Sequence, residues 1–277
     1  MKRSLPRTGF NRSRLIHLLA DPAIEDVAES KQSFAERLSQ WLKLGDAIAL
    51  SGALGAGVPA PTADAAPARA EDAARQERMQ GIAQELAQEF ARVRAALADS
   101  IVADGVSEAE RGTERARVKL PFPSPGASIA GAGDYLPYRR YHLAHQREME
   151  SAVGQLRAGV RQALARRSPA LQRLAAIDAA LGKALAERER ELLANVPQLL
   201  EKRFAQLYET HRQTLAGTRP ADTPETPDTP ERWLQAGGWL ADFRREMQAV
   251  LLAELDLRLQ PVAGLIDAFS NEVTPSQ

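Results

Sequence analysis

Apolar residues in this chain recur at three- and four-residue steps, the spacing that gathers side chains on one face of an α-helix. The cleanest stripe is Ile82, Leu86, Phe90, Val93, Leu97 and Ile101, which predicts a charged amphipathic helix over about residues 71–103. A second stripe holds Tyr138, His142, His145, Met149, Val153, Leu156, Val160 and Leu164, covering 26 residues in seven steps, a mean of about 3.7. That period exceeds the roughly 3.5 of a left-handed coiled coil and predicts a compact bundle over a long rod. Leu171, Leu174, Leu181, Leu185 and Leu192 mark the next inward face, and Leu200, Phe204, Leu207, His211 and Leu215 the one after it. Trp233, Leu240, Phe243, Met247, Val250 and Leu251 mark a last amphipathic helix. Near the start, Asn11 is a candidate cap ahead of Leu15, Leu18 and Leu19, and Asp21-Pro22 a break. In the helix expected next, Val27, Phe34, Leu38, Trp41 or Leu42, and Ile48 recur at helical spacing.

Clustered prolines and glycines divide these stripes into blocks. Residues 1–51 form an N-terminal helical segment, 52–70 a flexible Gly/Pro/Ala linker, and 71–103 the amphipathic helix. Residues 104–136 form a Pro/Gly-rich linker, with a short charged helix expected around Ser107 to Val118. Residues 137–217 form the central bundle, 218–229 a Thr-Pro spacer, and 230–270 the C-terminal amphipathic helix. Pro169 and Pro197 suit first turns of new helices, and their short connections fit either antiparallel turns or kinks in a single helix. Pro261 is expected to bend or end the last helix, and the polar tail after Phe269 to fray.

Composition agrees with the pattern. Fifty alanines and thirty arginines, against few β-branched and aromatic residues, favour helix intrinsically. The expected fold is therefore all-α: a helical bundle with long amphipathic helices joined by Pro/Ala-rich linkers. With no cysteine, the chain has no disulfide framework, thiolate metal site or cysteine nucleophile. Lys2, Arg3 and Arg7 are followed by no apolar run of signal-peptide length, and Ala47 to Val58 is too short to cross a bilayer. A cytoplasmic protein with no transmembrane segment is expected.

Candidate chemistry is sparse. The glycine run at Gly52, Gly55 and Gly57 lacks the Lys-Ser/Thr ending of a phosphate loop, and no HExxH or GxSxG word occurs. His142 and His145 have a spacing that metal sites use, yet no third ligand is placed beside them, and both fall on an apolar stripe. Core packing is the expectation for them; no enzyme activity, metal or cofactor is expected. Tyr135, Tyr138, Arg139, Arg140, Tyr141, His142 and Arg147 form the densest aromatic and basic patch. Residues 139–173 carry eight Arg against two Glu, while residues 218–277 carry ten acids against five bases. Pairing of a basic middle with an acidic C-terminal helix uses both facts. The whole chain balances 36 basic against 36 acidic side chains, which weakens phosphate attraction and makes nucleic acid the less favoured partner. The basic N-terminus, with Lys2, Arg3, Arg7, Arg12 and Arg14, could still touch anionic lipid or nucleic acid.

The segments Arg7-Thr8-Gly9-Phe10, Asp26 to Leu38 and Tyr138-Arg139-Arg140-Tyr141 through Glu150 resemble a proteobacterial family of helical proteins known only as a domain of unknown function. The resemblance brings no catalytic motif. It implies a soluble accessory on the cytoplasmic side of an inner-membrane proton-channel or envelope complex. The expected function is thus helix-mediated assembly, with a protein partner or by self-association. Trp41, Trp233, Trp239 and Phe243 are candidate anchors, since buried aromatics dominate interface energies, although core packing would use them equally well. The alternative is a nucleic-acid-associated protein using the basic N-terminus and the Tyr138 to Arg173 face.

Overall fold

The computed structural model describes residues 14–20, 34–55, 69–103, 119–124, 126–217 and 227–273. Its helices are α1 (Arg14–Ala20), α2 (Phe34–Trp41), α3 (Leu44–Gly55), α4 (Arg69–Val102), α5 (Leu136–Ala165), α6 (Pro169–Leu193), α7 (Val196–Gly217), α8 (Pro230–Trp233) and α9 (Trp239–Val273). A 3-10 turn spans Ile129–Gly131, and no strand occurs among the described residues, so the fold is all-α. The expected cap at Asn11, the break at Asp21-Pro22, Val27, the helix at Ser107 to Val118 and most of the three linkers lie outside the described residues.

The chain divides into two compact units. The first comprises Met1–Ser30, Ser100–Arg147 and Ala194–Leu257; the second comprises Lys31–Asp99, Glu148–Leu193 and Arg258–Gln277.

The core of the first unit is aromatic. Phe204 of α7 lies 5.5 Å from Tyr138, 5.4 Å from Trp239 and 5.0 Å from Phe243, ring centre to ring centre. The two contacts from α9 are edge-to-face, the arrangement that ring quadrupoles favour. Tyr135 donates its hydroxyl to the Pro197 carbonyl at 2.8 Å, and Tyr208 to that of Ile129 at 2.9 Å. Each ring is therefore fixed at its polar end as well as by packing.

The C-terminal helix predicted as one piece is two. Between α8 and α9 the chain turns at Gly237, whose φ of +81° suits glycine. A Cβ on the following Gly238 would lie 2.4 Å from the Trp233 carbonyl oxygen, so the backbone there tolerates no side chain. Beyond this turn α9 passes through Pro261 without ending and reaches Val273, with Phe269 and Val273 buried. α9 does not stop at Pro261 and stays helical through Val273, while residues 274–277 lie outside the described residues; apolar burial outweighs the single hydrogen bond proline removes.

In the second unit, Arg157 of α5 donates to Asp178 of α6 at 2.9 Å, although the two are 21 residues apart and a continuous helix would hold them about 31 Å apart. Pro169 therefore begins the second arm of an antiparallel hairpin. Ser168 caps that arm by accepting the Leu171 amide at 3.2 Å. α2 and α3 lie against α6. Lys43 pairs with Glu187 at 2.8 Å, the Arg188 guanidinium sits 5.8 Å over Trp41, and Arg173 donates to the Leu54 carbonyl.

The α5 stripe is buried at all eight positions from Tyr138 to Leu164. On α6, by contrast, Leu193 is buried and Leu192 is exposed. At about 100° per residue Leu193 returns to within about 40° of Leu171, whereas Leu192 misses by about 60°. On α4 only the far end of the stripe, Leu97 and Ile101, is buried.

Candidate functional site

Among the predicted site residues the structure separates those that build the core from those that meet solvent. Tyr138, Tyr141, Trp233, Trp239 and Phe243 are all buried in the first unit. Trp233 and Trp239 lie 6.2 Å apart, and Trp233 donates its indole N–H to Asp228 at 2.7 Å. Trp233, Trp239 and Phe243 thus pack within the chain's own core. Arg139 and Arg140 are exposed on the same helix that buries the tyrosines, so the aromatic and basic patch is not one surface. Trp41 is half-buried beneath Arg188 in the second unit.

Two arrangements stand out. The first is a buried polar cluster in the first unit. His142 and His145 project one turn apart from α5, and Glu254 from α9 approaches His142 with its Oε1 3.1 Å from Nε2. Gln146 donates to the other carboxylate oxygen at 2.8 Å. His145 meets Tyr141 edge-on at 4.4 Å, and the Tyr141 hydroxyl donates to the Ile101 carbonyl at 3.1 Å, which Gln248 also reaches at 3.0 Å. Burial, and then the neighbouring His142, pushes the His145 imidazole down to about 4, so it is neutral at pH 7. Burial likewise pushes the Tyr138 phenol up to about 12, against an opposing pull from Arg244. Core packing was the expectation for both histidines, and both are buried. Glu254 escaped the sequence reading. Its signal was a lone carboxylate continuing the Phe243, Met247, Val250 and Leu251 stripe at helical spacing. Among the described residues no group of three His, Cys, Asp or Glu side chains could hold a metal ion.

The second arrangement is the outward face of α3. No residue of this helix is buried, and Leu44 is 79% exposed, Ile48 64% and Leu54 49%. Leu44 and Ile48 stand one turn apart on the side away from Asp46, Leu50 and Ala53, which are half-buried. In the sequence Ile48 falls at helical spacing after Val27, Phe34, Leu38 and Trp41 or Leu42. The chain leaves helical geometry at Leu42 and Lys43, which resets the phase and turns Ile48 outward.

Among the described residues no helix is long and apolar enough to cross a membrane. No curated protein and no solved structure matches the chain. Over residues 1–271 the chain matches the family model described as Protein of unknown function (DUF3348), and it belongs to that family.

Proposed function

We propose that this protein is a non-enzymatic cytoplasmic scaffold or adaptor that assembles, with a protein partner or with a second copy of itself, through an exposed helix face. The observation that carries the reading is α3, which presents Leu44, Ile48 and Leu54 to solvent on a helix with no buried residue. Fully burying one such side chain yields roughly 1.5–3 kcal/mol, so an apolar ridge left in water gains from being covered. The helix is nearly uncharged: Asp46 is its one ionisable residue and lies on the side away from Leu44 and Ile48. Such a ridge fits a groove or helix of matching apolar character rather than a phosphate backbone. We further propose, from the resemblance in the sequence, an accessory role beside an inner-membrane proton-channel or envelope complex.

The nucleic-acid alternative keeps Arg139, Arg140 and Arg147, all exposed on α5, but Tyr138 and Tyr141 lie in the core and offer no ring for a base to stack on.

The test is purification of the tagged wild-type and Leu44→Glu/Ile48→Glu chains from the native host, with and without nuclease. Bound proteins are identified by mass spectrometry, and the mass of the purified chain is measured in solution. A protein set or an oligomer that survives nuclease and is lost in the variant, at unchanged helicity and melting temperature, supports the scaffold. Unaltered partners and mass in the variant would remove α3 from the account, and partners lost on nuclease treatment would favour the alternative.

A further inference from the structure

We draw no further inference here: the strongest candidate, the outward apolar face of α3 formed by Leu44 and Ile48, belongs to the surface already described, and nothing in the structure shows whether a second copy or a different protein covers it.

Discussion

The imidazole Nε2 of His142 lies 3.1 Å from a carboxylate oxygen of Glu254, and both side chains are wholly enclosed. A buried pair contributes little beyond a well-packed apolar pair, yet removing one member leaves the other enclosed and short of a partner, Glu254 keeping only the Gln146 amide on its second oxygen. His142→Leu and Glu254→Leu are each expected to lower stability by about 3–5 kcal/mol, and the double variant by clearly less than their sum. Urea unfolding followed by tryptophan fluorescence reads this directly, since Trp233 and Trp239 belong to the same unit. Additive losses would show that the two side chains are not coupled.

Acid is expected to weaken the same unit through His145. Its folded-state value of about 4 lies below the ordinary 6.5, so between those limits the unfolded chain binds the proton more readily. Stability is then independent of this group above pH 6.5, falls by up to about 1.4 kcal/mol per pH unit below it, and levels off near pH 4. His145→Phe removes this contribution and flattens the profile in that window. An equally steep profile in the variant would place the acid sensitivity elsewhere.

At the turn before α9 the two glycines are expected to differ. Gly237→Ala meets only the cost of a left-handed backbone, about 1–2 kcal/mol. Gly238→Ala places a methyl group inside the contact radius of the Trp233 carbonyl and must displace the backbone, a larger loss. Thermal melts of the two variants rank them, and the reverse order would contradict the described turn.

Aromatic truncation separates core from docking surface. Trp239→Ala and Phe243→Ala each remove a ring packed on Phe204 and are expected to cost about 3–5 kcal/mol in global stability. Leu44→Ala, at a side chain mostly in solvent, is expected to stay within about 0.5 kcal/mol of wild type. Denaturant midpoints distinguish the two classes, and a stable Phe243→Ala variant would return that ring to the list of surface anchors.

The helices were readable wherever a stripe ran long and uninterrupted. Tyr138 to Leu164 is buried at every predicted position because α5 keeps one phase over 30 residues. Short or broken stretches misled. The interruption at Leu42 and Lys43 carries no proline or glycine, and nothing in the local pattern announces that Ile48 changes face. Gly237-Gly238 was visible as a dipeptide, but the close approach to Trp233 that makes it a turn arises from folding. The His142 and Glu254 pairing joins residues 112 positions apart, and no local periodicity reports a contact across that separation. For the aromatic residues, the pattern fixed that they would be covered without deciding by what. Trp233, Trp239 and Phe243 are covered by their own chain, whereas Leu44 and Ile48 stay mostly in solvent.

Pro261 has no amide hydrogen, so the carbonyl of Leu257, four residues back, receives no bond from it. The division between the two units falls immediately after Leu257. A helix of 35 residues, about 50 Å long, is thus missing a rung beside the point where its residues change allegiance from one unit to the other. The gap in the hydrogen-bond ladder of α9 thus falls where the helix leaves the residues of one unit for those of the other.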